Sequence, residues 1–348
     1  MRILVLGGTG WLGRLVAQAA LGSGHAVTCV ARGGPAPAGA ELVRADRQVD
    51  DALSALPSGT WDAVVDVATQ PGQVRGAVRD LRSRTERYLY VSSCSVYASL
   101  AADGIDEESP VYGPLAADAM ASREEYGPAK VACEEAVVAG IGPERAVVVR
   151  PGLIGGPGDP TGRSTYWPLR FATPSNHEGR VLVPDDPAQP TAVIDVRDLA
   201  AWLLVLLERR TAGTFNAVGE AIPLAEHLAA GRAVAGHRGP LVPASPQWLV
   251  SHGVSPWVGP RSLPLWLVES RGIGSLSNAR ARAAGLTLRP VRDTLADTLA
   301  WAVRERIATV TGAGLDDADE QVLLAALDGS AADRPSAGPH QGAHVADR

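Results

Sequence analysis

Ile3-Leu4-Val5-Leu6-Gly7-Gly8-Thr9-Gly10-Trp11-Leu12-Gly13 is the stretch that decides how this chain is read. Four successive apolar residues predict a buried strand, and the glycine-rich turn behind them leads straight into a helix-like run, Leu12–Leu21. Gly7 at the turn allows a tight reversal, Gly10 lets backbone approach a pyrophosphate, and Gly13 lets the helix pack close to the strand. Trp11 and Leu12 open the helix, whose free N–H groups and positive dipole end favour phosphate. A bare glycine pattern is weak, and a tight structural turn with no ligand is the alternative. Its position in the first strand-to-helix unit of an alternating chain is what favours a dinucleotide.

Outward from this unit, apolar β-rich runs recur at Ala26–Ala31, Glu41–Ala45, Ala63–Ala68, Arg87–Ser92 and Ala146–Arg150. Helix-like stretches at Gln73–Arg82 and Ala129–Ala139 fall between them. Continuous apolar strands separated by helices predict the α/β class, a doubly wound parallel Rossmann sheet covered on both faces. After Arg150 the texture changes to Pro- and Gly-rich segments. A strand and helix follow within Ala192–Glu208, another strand at Thr214–Val218, and a last amphipathic helix at Asp293–Arg306. The expected division is a dinucleotide-binding domain over 1–165, completed by returning segments near 191–219. A smaller, irregular C-terminal substrate domain is expected over 166–190 and 220–310. For 311–348 the expectation is a short helix at Asp316–Leu327 and a disordered tail from Gly329. Six of the eight tryptophans lie in the second half, as core or as pocket wall.

The composition narrows function. In 348 residues the 32 basic side chains are outnumbered by 38 acidic ones, for a net charge of −6, which argues against nucleic acid as a partner. No apolar run is long enough to span a membrane, and the N-terminal residues form a strand and turn rather than a signal peptide. Three widely spaced cysteines, Cys29, Cys94 and Cys133, point to the reducing cytoplasm and not to a disulfide scaffold. The seven histidines show no ligand spacing, so no metal site is expected. A small-molecule substrate is the expected partner, with a homodimer as the oligomeric expectation. Of the 32 basic residues 31 are arginine, and the single lysine is Lys130.

Cofactor choice is read at the end of the second strand. An acid there binds the ribose 2′-hydroxyl of NAD, whereas an arginine accommodates the 2′-phosphate of NADP. Val30-Ala31-Arg32-Gly33 has no acid, so Arg32 favours NADP. NAD stays open if Arg32 is merely solvated or stacks on adenine. Asp46, after the third strand, is placed to meet the adenine, and Val67 and Ala68 at the fourth strand's end complete the cofactor-facing set.

Lys130 lies four residues after Tyr126, with Pro128 suiting a helical first turn, so both side chains share one helical face. Tyrosine ionises near pH 10, and an adjacent ammonium lowers that by favouring phenolate. Tyr126 then becomes a usable acid or base, against the alternative of a surface pair. The fifth strand ends in Tyr90-Val91-Ser92-Ser93-Cys94-Ser95-Val96-Tyr97. A hydroxyl there emerges at the carboxyl edge, where open α/β folds bind ligands, and can donate to a substrate oxygen. Cys94 as nucleophile is disfavoured, because no histidine is placed to activate it.

These residues resemble the short-chain dehydrogenase/reductase superfamily, in its extended, NAD-dependent epimerase/dehydratase branch, over about residues 1–305. The carriers are Gly7, Gly10 and Gly13, the Val-Ser-Ser…Val-Tyr segment at 91–97, Tyr126-x-x-x-Lys130, Arg150-Pro151-Gly152 and Ile194-Asp195-Val196-Arg197-Asp198. The second half is similar to reductase-like members from actinobacteria. The resemblance implies Ser93 as the catalytic serine and Tyr126 as the group exchanging a proton with substrate. It implies that Lys130 binds the nicotinamide ribose and tunes Tyr126, and that backbone around Pro151 and Leu153 lies beside the nicotinamide. Two departures bear on substrate. Val65-Asp66-Val67-Ala68 stands where the family has His-Leu-Ala-Ala, with a shortened loop after it, which weighs against a nucleotide-sugar. Cys94-Ser95 replaces the Asp-Glu of dehydratases. The expectation is therefore an NADP(H)-dependent oxidoreductase acting on a carbonyl or alcohol carbon. An epimerase or dehydratase with tightly held NAD is the nearest alternative, and a non-catalytic dinucleotide-binding protein the second. Arg163, Tyr166, Trp167, Arg170, His177 and Arg180 are the candidate pocket residues of the second half.

Overall fold

The computed structural model describes residues 1–332. Seven parallel strands form its central sheet. They are β1 (Arg2–Leu6), β2 (Ala26–Ala31), β3 (Glu41–Arg44), β4 (Trp61–Asp66), β5 (Thr85–Val91), β6 (Ala146–Pro151) and the returning strand Gly213–Ala217. In space the returning strand lies beside β6, followed by β5, β4, β1, β2 and β3. The chain winds outward from β1 in both directions, so the strand order reverses between β1 and β4, the position at which such sheets bind ligands. Apart from the partly exposed edge strand β3, the strands are short, rich in apolar residues and largely buried, as a sheet covered by helices demands.

Helices α1 (Trp11–Gly22) and α5 (Val196–Glu208) cover one face, while α2 (Pro71–Leu81) and α3 (Tyr126–Ile141) cover the other. On the first face Val16, Ala17, Leu199, Leu203 and Trp202 pack on Ile3, Val5, Leu89 and Val147. On the second, Val74, Val78, Cys133 and Val137 pack on Leu4, Val64, Tyr88 and Tyr90.

A separate apolar core lies under the irregular half. Short helix α4 (Tyr166–Ala172), the parallel pair Val181–Pro184 and Leu241–Ala244, and Trp266 meet there around Trp167 and Phe171. The C-terminal helix, Asp317–Ala332, belongs to this core through Leu323 and Leu324. It is tied down by Arg170, which donates to Asp317 at 2.6 Å and to the Leu315 carbonyl at 2.7 Å. The helix is thus longer than expected and runs through Gly329, and the rest of the expected tail lies outside the described residues. Among the described residues no helix is long and apolar enough to cross a membrane.

Trp202 is 2% exposed, edge-on to Phe215, and donates its indole N–H to the Ala284 carbonyl. Trp202→Ala is expected to cost about 3–5 kcal/mol, read as a lower urea midpoint with dinucleotide affinity of the folded fraction unchanged.

Candidate functional site

The glycine turn is built as its sequence requires. Gly7 has φ +94°, and a Cβ on Gly13 would stand 2.3 Å from the Gly7 carbonyl oxygen. Only glycine at 13 therefore lets α1 approach the strand end this closely. A Cβ on Gly10, by contrast, would meet only the Gly7 oxygen at 3.4 Å and otherwise open space. No side chain caps α1, so its first N–H groups stay free for an anion. The turn is held by Thr9 Oγ1 donating to the Gly33 carbonyl at 2.8 Å. Trp11 Nε1 ties it to the far side of the sheet edge by donating to the Pro157 carbonyl at 2.9 Å.

Two clefts flank this turn and share Gly10 and Val67. The first, about 450 Å³, is bordered by Gly7, Arg32, Asp46, Arg47 and Ala68. The second, about 550 Å³, is bordered by Trp11, Leu12, Gly13, Ser93, Tyr126, Lys130, Pro151 and Leu153. Every catalytic and cofactor-binding candidate named from the sequence thus lines one of two adjoining spaces at the carboxyl edge of the sheet. A dinucleotide laid across the turn would place a nucleotide in each. The open space at Gly10, the uncapped helix and the paired clefts all fit such a group.

The three proposed catalytic residues come from two elements pressed together. Ser93 follows β5 in extended conformation, and its Oγ accepts from the Ser95 N–H at 3.1 Å, closing a single helical turn at Cys94–Val96. Tyr126 begins α3. The glycine after it decides the contact, since a Cβ on Gly127 would lie 2.4 Å from the Ser95 carbonyl oxygen and 2.9 Å from the Tyr112 ring. Tyr126 and Ser93 border the same cleft, where the Ser93 hydroxyl donates to Ser95 Oγ at 3.1 Å. Lys130 is buried, and its Nζ donates to the Ala68 and Val91 carbonyls at 2.9 Å each, below the Tyr126 ring at 5.9 Å. An ammonium has three N–H donors, so one remains for a ligand.

The electrostatics differ from the sequence expectation in one respect. Burial raises the Tyr126 hydroxyl above its ordinary value, only partly offset by Ser93 and Arg163, so the phenol is held protonated. Burial also brings Lys130 down from 10.5 to about 8. The ammonium sits against two carbonyls and not against the hydroxyl, which is why it does not dominate Tyr126. Cys94 is pushed up to about 12 by burial, an inert thiol.

Two buried ion pairs support this edge, and neither was read from the sequence. Arg47 grips Asp66 in bidentate fashion at 2.8 and 2.7 Å, and Asp66 also accepts from Tyr88 at 2.7 Å. Burial disfavours the Asp66 carboxylate, but Arg47 and Tyr88 outweigh it and hold the carboxyl below its usual range. Arg150 grips Glu134 of α3 at 3.0 and 2.7 Å, and Glu134 in turn accepts from Ser92 at 2.5 Å. Their signal was the presence of charges within otherwise apolar strand and helix runs.

Of the six candidate pocket residues of the second half, only Arg163 reaches the cleft. Tyr166, Trp167 and Arg170 are buried around the second core, Arg180 pairs with Asp328, and His177 is exposed. The sequence reading missed Ile273 and Thr161 and left Trp257 between core and pocket wall; all three border the cleft. Cover over α2 comes from residues 112–125, where Asp118 accepts from the Gly72 N–H through its carbonyl and Met120 donates to Gln70. This segment stands above the shortened fourth-strand loop.

No sequence among curated proteins matches the chain. Among solved structures, it is similar to a Burkholderia cenocepacia protein whose description as an epimerase is itself provisional. That match has 26% identity over 87% of this chain and 98% of the other, with a TM-score of 0.62. The fold is also shared with the Bordetella bronchiseptica enzyme WbmG in complex with NAD and UDP (19% identity, 91% and 99% covered, TM-score 0.65). A further match is UDP-glucuronic acid 4-epimerase from Bacillus cereus in complex with NAD (16% identity, 89% and 100% covered, TM-score 0.62). The family model that matches residues 3–218 spans the whole of the sheet and both sides of the cleft, and the chain belongs to the NAD dependent epimerase/dehydratase family, an enzyme of the short-chain dehydrogenase/reductase type.

Proposed function

We propose that this enzyme is an oxidoreductase that exchanges hydride between NADP(H) and a carbonyl or alcohol carbon of a small molecule. The observation that carries this reading is the convergence of Ser93, Tyr126 and Lys130 on one cleft beside an uncapped, glycine-bordered helix start. The dinucleotide would lie along Gly7, Gly10, Trp11, Leu12 and Gly13, with Arg32 and Asp46 at its adenosine end and Pro151 and Leu153 at its nicotinamide end. When bound it supplies or accepts the hydride. Ser93 Oγ donates to the substrate oxygen and holds it as charge develops there. The Tyr126 hydroxyl, kept protonated by burial, gives its proton to that oxygen in the direction of reduction and recovers it from solvent. The spare N–H of Lys130 is directed to a ribose hydroxyl, and its charge favours the transient phenolate.

The preference for NADP rests on the adenosine end. Strand β2 ends without an acid, and Arg32 is exposed at the cleft with no hydrogen-bond or ion-pair partner among the described residues. Arg14, which the sequence reading passed over, donates to the Pro35 carbonyl beside the same loop and adds a second cation. Arg47 lines the cleft too but is occupied by Asp66. A second reading, epimerisation with retained NAD, is favoured by the similar enzymes that carry NAD and UDP or act on UDP-sugars. Cys94-Ser95 beside Ser93 argues against its dehydratase form. Three free, buried thiols support a reducing cytoplasm.

Purified protein that consumes NADPH with a carbonyl panel and carries no retained dinucleotide supports the reductase reading. Stoichiometric retained NAD with no net turnover of a carbonyl would instead support the epimerase. Tyr126→Phe is expected to lower kcat at least about 100-fold while leaving NADPH affinity within a factor of about two, measured by fluorescence titration. Turnover retained in that variant would overturn the proton-transfer assignment. Arg32→Asp should reverse cofactor preference, with the NADPH Kd rising about tenfold or more and the NADH Kd falling. Unchanged NADPH binding would remove the phosphate role. Lys130 makes a pH prediction. The unfolded chain keeps that proton up to about 10.5 and the folded one releases it near 8, so the unfolded state holds more protons between these values. Stability relative to Lys130→Met should therefore rise with pH across this window, by up to about 3 kcal/mol in urea titrations.

A further inference from the structure

Arg163 is a cation of the cleft that no carboxylate pairs with directly among the described residues. Its Nε donates to Thr161 Oγ1 at 3.2 Å, and its guanidinium lies 4.9 Å from the centroid of the Trp257 ring. Neither terminal nitrogen has a hydrogen-bond or ion-pair partner among the described residues. The acid closest in sequence, Asp159, is already saturated. It accepts from the N–H and Oγ1 of Thr161 at 2.8 and 2.7 Å and from the N–H and Oγ of Ser164 at 3.0 and 2.8 Å. Arginine stays charged in proteins, so a largely desolvated guanidinium with free N–H groups is a cost the fold carries until an anion arrives.

The surroundings say which ligand this anion belongs to. Trp257, held with φ +68°, belongs to the irregular half and forms one wall of a mouth made with Met120, Arg123, Tyr126 and Val258. The glycine turn does not line that mouth, whereas Tyr126 and Trp257 line both it and the cleft, and Arg163 lies in the cleft against Trp257, at the wall the two spaces share. The charge of Arg163 is also felt at the Tyr126 hydroxyl, favouring its ionised form.

We propose that Arg163, stacked on Trp257, binds an anionic group of the substrate, so that the compound handled at Ser93 and Tyr126 carries a carboxylate or a phosphate in addition to its reacting oxygen. A guanidinium fork accepts either group through two parallel N–H bonds, and the indole face fixes the plane of the fork. This deepens the oxidoreductase reading and rests on it for the word substrate, but the anion site itself does not require turnover.

The test is therefore a binding measurement. Full-length protein saturated with NADP is titrated calorimetrically, at constant ionic strength, with benzoate, with UDP and with neutral benzamide. Wild type is compared with Arg163→Gln and with Arg163→Lys, which retains the charge without the fork. At least one of the two anions is expected to bind wild type and to lose tenfold or more in Arg163→Gln, with a smaller loss in Arg163→Lys. Benzamide is expected to respond alike in all three proteins. Loss confined to benzoate marks a carboxylate substrate, and loss confined to UDP a phosphate-bearing one. Anion affinities equal in wild type and Arg163→Gln, no binding of either anion to wild type, or an equal loss of NADP affinity in Arg163→Gln would each overturn the proposal. Failure here would leave NADPH turnover and its Tyr126 dependence untouched, so the two readings fail separately.

Discussion

The buried pair between Glu134 and Arg150 is the constraint on which the catalytic edge depends. Both side chains are below 10% exposed, and between them they join four pieces of chain. Glu134 lies on α3 one turn beyond Lys130 and accepts from Ser92 at the end of β5. Arg150, at the end of β6, reaches the Tyr97 hydroxyl at 3.2 Å, and Tyr97 donates to Asn216 of the returning strand at 2.6 Å. Two charges taken out of water repay that cost only when every lone pair and proton finds a partner, which this network nearly achieves. Its value lies in register. The serine strand end and the tyrosine helix cannot slide past each other without stranding a buried carboxylate.

The other ion pair does the same at the opposite side of the switch point. Asp66 terminates β4, and Arg47 comes from the loop after β3, so their bidentate bond fixes that loop against the strand end beside the first cleft. It also withdraws Arg47 from the pool of cations at the adenosine end, leaving Arg32 as the exposed one. Which cations this edge can offer a ligand is therefore decided as much by which arginines are already paired as by which are present.

The central sheet was legible because its determinants are local. Strands such as Ala26–Ala31 and Ala146–Pro151 are continuous apolar runs, and the glycine turn carries its reason in three positions. That Ser93, Tyr126 and Lys130 would share one cleft was legible because i, i+4 spacing on α3 and a strand end at Ser93 are also local facts. The second core was not, since Tyr166, Trp167 and Arg170 look as suitable for a pocket as Arg163 does until tertiary contacts separate them. The docking of the C-terminal helix on that core escaped for the same reason. Arg170 and Asp317 lie 147 residues apart, and their pairing has no periodic signature. The net direction at Tyr126 escaped because a spacing rule places Lys130 nearby and says nothing of the burial that raises the phenol.

The burial of Lys130 has a chemical consequence for the whole surface. Because it is the only lysine and is 3% exposed, every solvent-facing side-chain cation is a guanidinium or an imidazole. Apart from the α-amino group, the folded protein offers no primary amine to acylating, carbonylating or cross-linking reagents. Incorporation of a second acyl group per chain would thus register opening of the cleft itself, which makes amine labelling a direct clock for motion at this edge.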